Sequence, residues 1–113
     1  MGGIIDDDKS YSDDQSAVAD ILNAGTGVQG ALTVGTSAVE VKVGGSRLEG
    51  RKSVTVQNES NSIIYWGYTS GVTTASGTPI QKKQFMSWAV GDNQTIYLIA
   101  GSAGNNTRIT EGA

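Results

Sequence analysis

The feature that most restricts this chain is a recurring two-residue alternation of apolar side chains in runs too short for helices, each run closed by a turn-forming cluster. In AVEVKVG, Val39, Val41 and Val43 alternate with Glu40 and Lys42, and SVTVQN repeats the pattern with Val54 and Val56. A period of two places alternate residues on opposite faces of an extended strand, so these runs predict half-buried β-strands. QFMSWAV puts Met86, Trp88 and Val90 on one face, TIYLIAG does the same with Ile96, Leu98 and Ala100, and TRITEG around Ile109 is a further strand. Leu32 to Val34 is a short one. IIYWGYT is apolar on both faces, which predicts a central strand or one covered by a neighbouring subunit. By the same alternation Trp66 and Tyr68 share a face with Ile64 and are expected in the core, whereas Tyr65 and Tyr97 fall on the opposite parity and are candidates for an exposed contact.

Turn segments separate the strands at Gly44-Gly45, Asn58 to Ser62, Ser70 to Pro79, Gly91 to Asn93 and Gly101 to Asn106. Sixteen glycines, one proline and 17% charged residues in 113 fit short strands and tight turns better than a helical bundle. The expected fold is all-β: a small antiparallel β-sandwich or barrel of about seven strands over residues 31–113. A chain of this length buries only about two-thirds of its unfolded surface, so its core is expected to be thin.

Residues 1–30 are a different object. They carry six acids against Lys9, a net −5, while residues 31–113 carry seven bases against five acids, a net +2. Residues 1–13 lack periodicity and are too polar to fold alone. From Asp13 to Gly25, the sequence DDQSAVADILNAG has acids at its front, Ala17, Val18, Ile21 and Leu22 on one helical face, and Asn23 to Gly25 as a stop. That predicts a short amphipathic helix over about 14–23, joined to the domain by the glycine-spaced link GTGVQG. About three turns are marginal in isolation, so the apolar face must dock, on its own domain or on another chain.

Several chemistries have little to work with. No cysteine or histidine is present, which removes the thiolate nucleophile, the commonest general base and the two commonest transition-metal ligands. Gly25, Gly27 and Gly30 spell GxGxxG, but dinucleotide binding needs a strand before and a helix after that motif, and the expected order is the reverse. DDDKSYSDD offers oxygen donors at calcium-loop spacing, yet Tyr11 stands where the loop requires glycine and Ala17 where it requires a bidentate glutamate. The domain acids Glu40, Glu49, Glu59, Asp92 and Glu111 are expected mostly on solvent faces or in turns, which disfavours a carboxylate pair of the glycosidase type. Scattered bases with an excess of two do not make a nucleic-acid footprint. The opening MGGIIDDDK lacks a basic n-region and a long apolar stretch, Asp6 occupies the position where myristoylation wants Ser or Thr, and no stretch is long enough to span a bilayer. The expectation is a non-enzymatic chain with no cofactor, no nucleic acid and no membrane.

Two tracts carry a family resemblance. DDQSAVADILNAGTG, residues 13–27, resembles the N-terminal segment of phage head-fibre proteins, where a short helix ending in Leu-Asn-Ala-Gly precedes a glycine-rich link. LTVGTSAVEVKVGGSRLEGRKSVTVQN, IYWGYTSGVTTASGTPI and IYLIAGSAGNNTRITEGA together resemble a small β-domain of tailed-phage structural proteins. The resemblance implies a virion component on the capsid exterior, made in the host cytoplasm, forming a homo-oligomer with a trimer favoured. Head fibres usually continue into a long distal region, so a short knob or capsid decoration protein fits better than a true fibre. On that reading the N-terminal arm binds the major capsid protein. Ile4, Ile5, Val18, Ile21 and Leu22 would be its apolar anchors, and Asp6, Asp7 and Asp8 would make charge-assisted hydrogen bonds in a basic groove. Two other roles are weighed: a carbohydrate-binding host-adhesion module using Tyr65 or Tyr97, and a tail, neck or baseplate adaptor.

Overall fold

The structure, a computed structural model, describes residues 25–113. The expected helix over 14–23 and every proposed arm anchor lie outside the described residues.

The described chain forms eight strands: β1 (Gly27–Val34), β2 (Val39–Glu40), β3 (Ser53–Asn58), β4 (Ile64–Gly67), β5 (Thr78–Ile80), β6 (Phe85–Trp88), β7 (Tyr97–Ala100) and β8 (Asn105–Gly112). They make two antiparallel four-stranded sheets, ordered β1-β8-β3-β6 and β2-β7-β4-β5. The pairs β1–β8, β2–β7, β3–β6 and β4–β5 are nested, as if one long antiparallel ribbon had been folded at β4–β5 and rolled so that its halves face each other. Two interlocked Greek keys of this kind define a jelly roll.

The alternation read from the sequence explains the core. Val54 and Val56 of β3, Trp88 of β6 and Ile109 of β8 point from the first sheet toward Ile64, Leu98 and Ala100 of the second, all of them buried. Val34, Val41, Ile80 and Ile96 complete the cluster, with Leu32, Val39, Val43, Trp66 and Val90 packed partly buried around it. Trp66 and Trp88 meet edge to face across the two sheets, ring centroids 5.1 Å apart.

Five expectations change in detail. β1 begins at Gly27, so most of the supposed glycine link is strand; a side chain at Gly30 would come within 3.1 Å of Val43 Cγ1, and the missing Cβ is what lets the loop close on the strand. The Val39–Val43 run pairs only through Glu40, after which the Val41 N–H still reaches the Ile96 carbonyl (2.7 Å) and the chain then leaves the sheet. The segment Ser70 to Pro79 is not all turn, because Thr78–Ile80 pairs with β4 as a short edge strand that tolerates Pro79. Tyr68 is not core: β4 ends at Gly67, and the Tyr68 ring is 51% exposed. Met86 too is partly exposed, because β6 is an edge strand.

β4 is apolar on both faces because both are covered. It lies between β5 and β7, and its outer face is roofed by the 68–77 loop, whose Val72 tucks against Gly67. Gly77 closes that loop so tightly that an added Cβ would lie 2.7 Å from Tyr65 Cβ and 3.0 Å from the Thr73 carbonyl oxygen. Gly77→Ala is therefore expected to cost about 1–3 kcal/mol by overpacking, with the loop amides losing hydrogen-exchange protection before those of β3 and β8.

Candidate functional site

Glu111 departs most from the solvent-facing role expected of the domain acids. It shares a strand face with Ile109 and Thr107, points inward from β8, and its side chain is 0% exposed. Its Oε2 accepts a hydrogen bond from Arg51 Nη1 at 2.7 Å, and Arg51 is equally buried. The Val43 N–H donates to Oε1 (3.1 Å), and the Leu48 N–H makes a long contact with Oε2 (3.4 Å). Arg51 spends its remaining donors on carbonyls: Gly91 through Nε and Nη2, Gln94 through Nη2 at 2.7 Å, and Val41 through Nη1. One ion pair thus ties β8 to both the 41–52 loop and the 89–96 loop.

Glu40 and Asp92 also hold loops, whereas Glu49 and Glu59 are exposed as expected. Glu40 pairs with Arg47 and Lys42, the Arg47 Nε–H donates to the Asp92 carbonyl (2.7 Å), and Asp92 Oδ2 accepts from the Gly50 N–H (2.8 Å). At the opposite end, buried Asn58 donates through Nδ2 to the carbonyls of Ser62 and Ile80 and accepts through Oδ1 from the Ser60 N–H and hydroxyl. Lys83 takes a left-handed conformation (φ 62°), and its ammonium donates to the Glu59 carbonyl at 2.7 Å. Both ends of the sandwich are therefore braced by buried polar groups whose bonds are made, an arrangement that rigidifies a framework.

The exposed surface offers two areas for contact. The first is the outer face of the β1-β8-β3-β6 sheet. Direct cross-strand partners share a face, so one row runs Ala31, Arg108, Gln57, Phe85 and the next Gln29, Thr110, Thr55, Ser87. Of these side chains only Arg108 is charged; Thr55 and Ser87 hydroxyls are joined at 2.8 Å, and the face ends on Phe85, 64% exposed. A shallow groove of about 440 Å³ lies among Gln29, Gly30, Ala31, Arg108, Ile109 and Thr110.

The second area surrounds the aromatic side chains of the other sheet. Tyr65 is half-buried between Pro79 and Ile99 and lines an open groove of about 490 Å³ with Ser62, Ile63, Thr74, Gly101 and Ser102. Tyr97 is half-buried beside Glu40 and Gly67 and does not line that groove. Tyr68, missed by the parity argument, stands edge to face with Trp66 at 5.2 Å over a separate cavity of about 310 Å³ lined also by Thr69, Val72, Ser76 and Thr78. The two tyrosines singled out from the sequence sit at diagonal positions on one face of the β4–β7 pair but do not line a common groove. The signal for Tyr68 was the Thr69-Ser70-Gly71 cluster directly after it, which ends the strand before its parity can bury it.

No protein-family model and no curated protein matches the chain.

Proposed function

We propose that this chain is a non-enzymatic structural protein of a tailed-phage virion, a capsid decoration or head-fibre-like protein that its N-terminal arm fixes to the major capsid protein. The observation that carries the reading within the described domain is the combination of a rigid jelly roll, braced at both ends, with a flat, largely uncharged outer sheet face. Rigid frames with broad, largely uncharged faces suit side-by-side protein contact, where charge depletion at the contact centre lowers the desolvation cost. The jelly roll is an architecture used by viral capsid and lectin domains, which supports the reading by fold analogy. The tracts resembling head-fibre and tail-phage β-domains supply the remainder. On this reading the loops need no catalytic group, and Arg51 and Glu111 act in folding alone.

A second role has one observation in its favour. Tyr68 presents half its surface beside Trp66 and above three hydroxyl side chains, and an exposed ring of that kind stacks on sugar faces. A host-adhesion module would use Tyr68, with Tyr65 in the neighbouring groove, rather than Tyr97.

Imaging virions that carry a labelled copy tests both the class and the place. Label distributed over the capsid shell is the expected result. A single ring of label about the tail axis would make the protein an adaptor, and label absent from purified particles would refute a virion role. Glycan binding that disappears in Tyr68→Ala would establish the adhesion role.

A further inference from the structure

The four sheet edges are treated unequally. β2 is two residues long and carries Glu40, β5 is three residues long and carries Pro79, and β6 is four residues long and follows Lys82 and Lys83. These are the ordinary means of blunting an edge against pairing. β1 has none of them: it is eight residues long, GVQGALTV, without charge or proline. Among the described residues no strand lies on its outer side.

The hydrogen-bond phase of that edge follows from its partner. Thr26 and Ala113 exchange both backbone hydrogen bonds, at 3.0 and 2.8 Å, in the register that continues into β1 and β8. Antiparallel pairs alternate between bonded and unbonded, so Val28, Gly30, Leu32 and Val34 bond to β8. Gly27, Gln29, Ala31 and Thr33 then direct their N–H and C=O groups to the open side. Just inside the edge lie three half-buried apolar side chains, Val28, Leu32 and Val43, the last filling the space left by Gly30.

We infer that β1 pairs with β1 of a second copy of this chain, antiparallel about a two-fold axis through Gly30. This register engages every outward residue: Gly27 with the partner's Thr33, Gln29 with the partner's Ala31, and the reverse, for about eight hydrogen bonds. A shift by two residues in either direction loses one such pair. Val28 then lies opposite the partner's Leu32, so the apolar strip is covered from the other side. The absence of charge along β1 means that the two-fold brings no like charges together, whereas the same operation on β2 or at the lysines before β6 would do so. The product is one continuous eight-stranded sheet whose outer face doubles the flat surface described above. The contact is isologous, so it gives even-numbered assemblies rather than the trimer that the resemblance implies.

Sedimentation equilibrium of the full chain should give about twice the 11.7 kDa chain mass at tens of micromolar concentration. Ala31→Pro removes an outward N–H without touching the β8 ladder, and should weaken the pair at least tenfold with an unchanged far-UV spectrum. Ala31→Thr, which keeps the N–H, should stay paired. The register has its own test, because the chain lacks cysteine. The Val28→Cys/Leu32→Cys double variant should oxidise to a covalent dimer, since unbonded antiparallel pairs bring Cα atoms to about 4.5 Å, within disulfide range. Neither single variant should do so. A monomer or a trimer of the full chain, an Ala31→Pro variant that stays dimeric, or a double variant that does not cross-link would each overturn the inference. None of these outcomes depends on whether the protein resides in a virion.

Discussion

Glu111→Ala is expected to destabilise the fold by about 3–5 kcal/mol, because it leaves the Arg51 guanidinium buried and unpaired. Native domains are stable by only about 5–15 kcal/mol, so this single change removes a large share of the total. For a domain of about 90 residues the melting temperature should fall by well over 10 °C, roughly 4–8 °C per kcal/mol. Arg51→Ala should be comparable: it strands the carboxylate and also withdraws donors from the carbonyls of Gly91, Gln94 and Val41. The two effects should not add. Arg51→Met/Glu111→Leu should cost clearly less than the sum of the two alanine variants, since no buried charge is left, although the loop carbonyls and the Val43 N–H still lose their partners. Thermal or urea unfolding of the four proteins checks this. Additive costs would mean that the pair is not coupled and that the loops are held by other contacts.

The second large effect is expected at the indole pair. Trp88 lies on β6 and Trp66 on β4, so their edge-to-face contact joins the two sheets directly. Trp88→Ala removes that bridge and opens a cavity in a thin core, at a cost of about 3–5 kcal/mol. Trp88→Phe should be far milder, about 1–2 kcal/mol. Among the described residues the buried indole Nε1 of Trp88 has no hydrogen-bond partner, and a buried unpaired donor costs of order 1–3 kcal/mol, which the phenyl ring relieves while keeping much of the apolar contact. Denaturant unfolding distinguishes the two cases. Equal losses in both variants would show that the Nε1 hydrogen has a good acceptor, whose loss rather than ring volume decides the cost.

The sheet pattern was legible in most of the alternating runs, although AVEVKVG, the most regular of them, pairs only through Glu40. Val54 and Val56, and Ile96, Leu98 and Ala100, are buried as their parity requires. The apolar run IIYWGYT contains β4, a central strand with both faces covered, one of the two arrangements its composition allowed. Legibility failed where a residue's role depended on distant chain. Glu111 follows Ile109 by two positions, so its parity pointed inward, but an acid at an inward position makes sense only once Arg51, 60 residues away in sequence, is known to meet it. Gly27 and Gly30 suggested a link because glycine is a poor strand former; they sit in β1 because β8 supplies the pairing and Val43 fills the space beside Gly30. Tyr68 kept the parity of Ile64 but not its strand, which stops one residue earlier. Of the candidate contacts, Tyr65 and Tyr97 are both half-buried and only Tyr65 lines a described groove, while Phe85 is exposed because it lies on the outer face, at the parity opposite Met86 and Trp88.

On the proposed function, residues 25–113 form a braced domain and the acidic arm before it is the anchor. Co-sedimentation with virions stripped of this protein, comparing the full chain with a version lacking residues 1–24, tests that division most directly. The expected result is that the full chain rebinds, that the truncated chain stays in the supernatant, and that their melting temperatures agree within a few degrees. A truncated chain that rebinds as well as the full one would contradict it, as would a truncated domain that no longer folds.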